Sequence, residues 1–229
     1  MRHLVAVILG LALAGPAFGQ ERPVPATVTG THHEAPQPSP TPLSLTETCV
    51  AVRLQGCSVA GAGVLPIEGD RRLWWQIQDG YTDEDGIGGG LLVFEQVGDG
   101  PLKSVVRAFE AGAYEAPLLT RVDSGLLLVA PGVSRGTGAG DASVLMIRQE
   151  GGWRAVDTGW QERAGALLDG REVRHRPYWY WQEMLAMTPL WRPGDAGCCG
   201  GAGVALLSFD VVDGELTLTE IQMLAPRDD

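Results

Sequence analysis

From Thr46 onward the chain consists of short apolar runs separated by turn residues. Leu91–Val97 and Leu102–Phe109 flank Gly98-Asp99-Gly100-Pro101, and Leu118–Val122 and Leu126–Ala130 flank Asp123-Ser124-Gly125. Val144–Gln149 and Trp153–Asp157 flank Glu150-Gly151-Gly152, while Val204–Val212 and Leu216–Leu224 flank Asp213-Gly214. Runs of this length bounded by Gly, Asp and Pro predict β-hairpins, and Asp-Gly is the strongest of these turn signals because it tolerates the positive φ values of a tight hairpin turn. The last pair alternates imperfectly: Leu216, Leu218 and Glu220 fall on one face and Thr217, Thr219 and Ile221 on the other, so the pattern only partly specifies register. Two further strands are expected at Thr48–Leu54 and Leu73–Gln78. Helical spacing occurs only in Gln161–Leu168 and Trp181–Thr188, and Pro189 cuts the second short. The expected fold is therefore all-β, mainly antiparallel hairpins arranged as a sandwich, barrel or curled meander, with one or two short helices. A Gly-Ala-Gly triplet recurs at 61–63, 138–140 and 201–203. No four-stranded unit repeats around it, so it reads as turn chemistry, not as a propeller repeat.

The pattern before this region is different. Arg2 and His3 precede an apolar run, Leu4–Gly15, and Ala17-Phe18-Gly19 then offers small residues where a signal peptidase reads them. Residues 1–19 are predicted to be a signal peptide, too short for a permanent span, with Gln20 the new N-terminus. The first cysteine is Cys49, so no lipidation cysteine stands at the cleavage site. The expected location is periplasmic or secreted, without membrane insertion after cleavage. Residues 20–45 are rich in Pro, Thr, Ser and Gln with no apolar periodicity, and are read as a Pro-rich disordered tether. Residues 46–229 then form a single β-rich domain, long enough for a sizeable core.

Charge and cysteines narrow the function classes. The net charge of −11 gives no basic stripe with which to bind a phosphate backbone, so nucleic acid is excluded as a partner. Four cysteines, Cys49, Cys57, Cys198 and Cys199, form an even set in a disulfide-permissive compartment. Neighbouring Cα atoms about 3.8 Å apart make a Cys198–Cys199 bridge strained. Cross-pairing would avoid that strain and close a long loop, whereas Cys49 and Cys57 are near enough to bridge locally. The connectivity is open on these grounds.

Most catalytic chemistry fails for lack of residues. His175 is the only histidine in the folded region, flanked by Arg174 and Arg176 in a charged connector, and reads as a solvated loop residue. The chain has no Gly-x-Ser-x-Gly elbow and no Ser-x-x-Lys motif, so no catalytic residue is assigned. No cofactor is expected. Asp79, Asp83 and Asp85 form an acidic loop with the hard oxygens that Ca²⁺ prefers, but an EF-hand frame aligned on Gly86 places Tyr81 and Leu92 where carboxylates are needed. Residues 178–181, Tyr-Trp-Tyr-Trp, precede Trp191. Successive strand residues point to opposite sides, so part of this run is expected at a surface, where Trp179, Trp181 and Trp191 would stack on a glycan or anchor a protein.

The string Thr188-Pro189-Leu190-Trp191-Arg192-Pro193-Gly194-Asp195-Ala196-Gly197-Cys198-Cys199 resembles a segment of uncharacterised bacterial envelope proteins, in which Asp-Ala-x-Cys-Cys enters the final hairpin. Those proteins usually continue with Pro-Thr-Gly-Gly, whereas this chain has Gly200-Gly201-Ala202-Gly203. The resemblance implies compartment and paired cysteines, and no activity. The expected function is a non-enzymatic, exported β-domain of the bacterial envelope that binds a protein or glycan or serves structurally. Two alternatives are an inhibitor of a secreted hydrolase and a carboxylate-dependent periplasmic hydrolase using residues such as Asp83 and Asp85.

Overall fold

A computed structural model describes residues 40–51, 53–82, 86–135 and 140–224. Three four-stranded antiparallel sheets hold all but two of its strands, the first and third as meanders of consecutive strands. The first contains β1 (Gln55–Pro66), β2 (Arg71–Thr82), β3 (Gly86–Val97) and β4 (Lys103–Ala108) in that order. A two-stranded ribbon pairs β5 (Ala113–Tyr114) with β8 (Gly132–Val133). The second large sheet runs β6 (Leu118–Val122), β7 (Gly125–Ala130), β9 (Val144–Gln149), β10 (Gly152–Ala155). The third runs β11 (Tyr178–Tyr180), β12 (Leu185–Pro189), β13 (Val204–Val212), β14 (Glu215–Leu224). Among the described residues, helical turns are confined to α1 (Pro42–Glu47), α2 (Trp160–Arg163) and α3 (Gly165–Leu168). The chain is all-β, its sheets do not close into a barrel, and all four sequence-predicted hairpins are present.

The second sheet is sandwiched between the other two, because β7 is apolar on both faces. Leu127 and Val129 point into one core with Ala186, Leu207 and Phe209 of the third sheet. Leu128 and Ala130 point the other way, to Leu73, Leu91 and Val93 of the first. Period-two alternation delivers each set to its own layer. The outer face of the first sheet carries Leu92 and Phe94 and is covered by Leu45 of α1.

Several expectations are corrected. None of the described residues of 48–54 is in a strand; they follow α1 irregularly, and the strand lies at Gln55–Pro66 instead. Two buried glutamines set that path: Gln76 Nε2 donates to the carbonyls of Leu45 (2.5 Å) and Thr48 (2.9 Å), its Oε1 accepts from Val50 N (3.1 Å), and Gln78 Nε2 donates to Val50 O (2.7 Å). Backbone groups satisfied by side chains have no need of a ladder partner. The helix α1 straddles the end of the segment read as tether, residues 20–45; it is capped by Thr41 and Ser44 and starts at Pro42, where proline's missing N–H costs nothing. Gln161–Leu168 is helical much as expected, but Trp181–Thr188 is a turn leading into β12, with Thr188 inward. The ambiguous final hairpin is resolved by a bulge: Glu220 pairs with Ser208 and Leu218 with Phe209, leaving Thr219 unpaired. That extra residue shifts the phase, so Ile221 joins Leu218 on the core side.

Candidate functional site

The segment between the second and third sheets builds the site. After β10 the chain runs beside β14, with Asp157 N donating to Gly214 O (2.9 Å) and Leu216 N to Asp157 O (2.8 Å). Asp157 then turns it: its carboxylate accepts from Gly159 N (2.7 Å) and pairs with Arg163 (3.3 Å), which also meets Glu215 (3.3 Å). The amide of Gly159, followed by Arg163, holds the Asp157 carboxyl below its ordinary range. This turn seats Trp160 in the core, edge-on to Phe209 (4.9 Å).

A second connector, Glu172–Arg176, leads into β11. Glu172 and Trp191 exchange backbone hydrogen bonds (2.9 and 3.0 Å), which brings Arg174 and His175 against the loop that follows Trp191. Arg174 donates to Asp195 O (2.8 Å) and pairs with Glu172 (2.7 Å). His175 Nε2 donates to Gly197 O (3.0 Å), its ring edge-on to Trp191 (5.0 Å). Asp195 closes the loop from within, its Oδ2 accepting from Arg192 N (2.7 Å) and Gly201 N (2.9 Å), and these two amides push its carboxyl down. The Asp-Ala-x-Cys-Cys string is thus a folded loop with Asp195 as its internal tie. Gly200 is required there, since a Cβ at this position would collide with the Leu190 carbonyl oxygen.

Between the two connectors lies a cavity of about 280 Å³. It is lined by the apolar Leu145, Trp160, Trp181 and Leu216, by the polar Asp141, Ser143, Thr158 and Gln161, and by Arg174, His175 and Arg176. Trp179 stacks flat on Trp181 (3.9 Å between centroids, 9° between planes) and donates from Nε1 to Asp141 Oδ2 (2.5 Å). Asp141 Oδ1 accepts from Ser143 N (3.0 Å), so both carboxylate oxygens are occupied. Two donors on cavity-lining residues are buried without an acceptor among the described residues: Trp181 Nε1 and Arg176 Nε.

The exposed face expected on Trp179, Trp181 and Trp191 is corrected by this arrangement. Trp181 is 5% exposed and Trp191 is 1% exposed, while Trp179 is half-buried against the same core. On β11 alternation sends Trp179, and Trp181 just beyond, inward; it sends Tyr178 and Tyr180 outward, where they are 71% and 51% exposed. Cys49 bridges to Cys57 and Cys198 to Cys199, so the cross-pairing considered from the sequence is not adopted. A trans peptide carries the adjacent pair, on the exposed part of the Asp195 loop. Asp79 is exposed on β2; Asp83 and Asp85 lie outside the described residues, and no group of three or more potential metal ligands occurs among the described ones. Sequence reasoning missed Arg174 and Arg176 as cavity residues. Their run looked like a solvated connector, and only the bridge between Glu172 and Trp191 turns it inward. No family model, curated protein or solved structure matches this chain.

Proposed function

We propose that this chain is a non-catalytic, exported β-domain of the bacterial envelope that binds a small polar ligand in the cavity between Trp160 and Trp181. The observation that carries this reading is the cavity itself, about 280 Å³, in which Leu145, Trp160, Trp181 and Leu216 meet Ser143, Thr158 and Gln161. A concave site that sets polar side chains beside apolar rings suits a small polar molecule better than an apolar one. Export rests on the leader-like residues 1–19, and the envelope location also on the resemblance around Asp195 and the paired cysteines.

The test is a thermal-shift screen of small polar metabolites against the mature protein, repeated with Thr158→Trp. Thr158 lines the cavity but is exposed, and the hydrogen bond at this position is made by its backbone oxygen, to Trp160 N. The variant is expected to keep its melting temperature and to lose every shift that the parent shows. Ligands that shift both proteins equally would place binding elsewhere. N-terminal sequencing of the exported protein is expected to begin at Gln20.

A further inference from the structure

We infer that the outer face of the third sheet is an interface on which two copies of this chain pack face to face. Alternation along the strands of that sheet sends apolar residues to both of its sides. Ala186 and Leu207 enter the core, and their neighbours Leu185, Met187 and Leu206 point the opposite way, as Tyr178 and Tyr180 do. The register gathers these side chains: Tyr178 pairs with Met187 and Met187 with Leu206, Tyr180 pairs with Leu185, and Val204 with Leu224. None of these seven belongs to an apolar cluster among the described residues. The outer face of the first sheet, by contrast, has Leu45 of α1 as its cover.

Size and charge select the occupant. An aromatic side chain offers about 150–250 Å², so tyrosines that are 71% and 51% exposed present about 240 Å² between them. The aliphatic residues around them bring the patch to about 500 Å², near the upper limit for a protein that stays monomeric. Two such patches bury about 1,000 Å², where specific interfaces begin, and the commonest arrangement is a two-fold axis that sets a patch on itself. The chain carries a net charge of −11, yet the only charge on these ladder rows is Glu220, at the end away from Tyr180. Two copies therefore meet here without setting carboxylates against one another. A glycan suits the face less well. Beside the tyrosines come Leu185 and Met187, and Ser208, the first polar side chain along the row, is two strands away, about 10 Å. The cavity lined by Trp181 and Leu216 lies on the inward side of this sheet, so the two readings are tested separately.

The test is sedimentation equilibrium on residues 20–229 from about 1 to 500 µM. A dimer is expected, with a dissociation constant of about 1–100 µM, the weak end that so small an interface supports. Tyr178→Glu and Tyr180→Glu replace exposed rings, so the fold is expected to survive, and each is expected to weaken the dimer at least about tenfold. Tyr81→Glu adds the same charge at a tyrosine that is 62% exposed on β2, and is expected to leave the dimer unchanged. Raising the salt from about 50 to 500 mM is expected to strengthen association, because it screens the repulsion between two acidic chains. A chain that stays monomeric throughout would overturn the second copy, whether the face then belongs to residues 20–39 or to another molecule. A dimer that both Tyr178→Glu and Tyr180→Glu retain, or that salt dissociates, would overturn this apolar face as the interface.

Discussion

At the scale of single residues, the loop around Asp195 shows how one carboxylate organises a segment that has almost no apolar content. Its amide partners, Arg192 N and Gly201 N, lie on the two limbs of the loop, so the side chain does the work of a missing strand pair. The carboxyl is held low by those two hydrogen bonds, and the sign of its pH effect follows. A depressed folded value makes the contribution fully present above the unfolded value of about 3.9 and removes it as pH falls through the folded value. Asp195→Asn is therefore expected to flatten the loss of loop protection on acidification, read by hydrogen exchange at Gly201 from pH 5 downward. An unchanged profile would show that the loop is held by Arg174 and His175 alone. Gly200→Ala is expected to cost about 1–3 kcal/mol in denaturant melts, since the added methyl meets backbone and not a flexible side chain. The distinctive string of this loop was visible in the sequence. Its meaning was not, because the roles of Asp195 and Gly200 depend on partners brought close only by the fold. The same holds for Gly61 and Gly63, which looked like turn residues. They sit inside β1 because the Trp75 indole lies across them; a Cβ at Gly63 would come within 2.7 Å of that ring.

At the scale of elements, hairpins were legible wherever two apolar runs met a turn signal, since both halves of the unit are local. What escaped was either poor in apolar residues or defined from a distance. β1 has the composition Gln-Gly-Cys-Ser-Val-Ala-Gly-Ala-Gly-Val-Leu-Pro, which carries no periodicity, and it is a strand because β2 offers a ladder. Most of β12 lies in the run at helical spacing, Trp181–Thr188, and in so short a run the choice between helix and strand falls to the neighbouring β13. The N-terminal segment shows the same dependence, through Gln76. Gln76→Leu would strip two carbonyls and one amide of their partner at once, and an expected loss of about 2–4 kcal/mol follows from leaving buried groups unpaired. The boundary of the domain can be tested at the same place. Removing residues up to 39 is expected to leave the melting temperature nearly unchanged. Leu45→Ala is expected to cost about 2–5 kcal/mol, because Leu45 is 1% exposed and packs on Leu92 and Phe94. A silent Leu45→Ala would show that α1 is not part of the core.

At the scale of the whole molecule, the two disulfides are both local. Cys49–Cys57 joins residues 8 apart in sequence, and Cys198–Cys199 joins neighbours, so no disulfide links one sheet to another. Chain-entropy reasoning assigns the first about 2–3 kcal/mol and the second almost nothing. The paired substitution Cys198→Ser, Cys199→Ser is expected to melt within about 1 kcal/mol of the parent, while Cys49→Ser, Cys57→Ser is expected to lose about 2–3 kcal/mol. Cohesion between sheets rests instead on apolar layers, with β7 supplying both. The strands of each large sheet come from one stretch of chain, residues 55–108, 118–155 and 178–224, with only β8, which pairs with β5, set aside from the second. Nothing in the first sheet waits for a strand from the second or third. Contacts between near neighbours in sequence close small loops, and such folds are reached faster than those that pair distant strands. A chain entering a new compartment with its N-terminus leading would complete the sheet of 55–108 while the stretch 178–224 was still in transit. Each finished layer would then offer the next an apolar face, keeping short the time for which unpaired strand edges stand open to neighbouring chains.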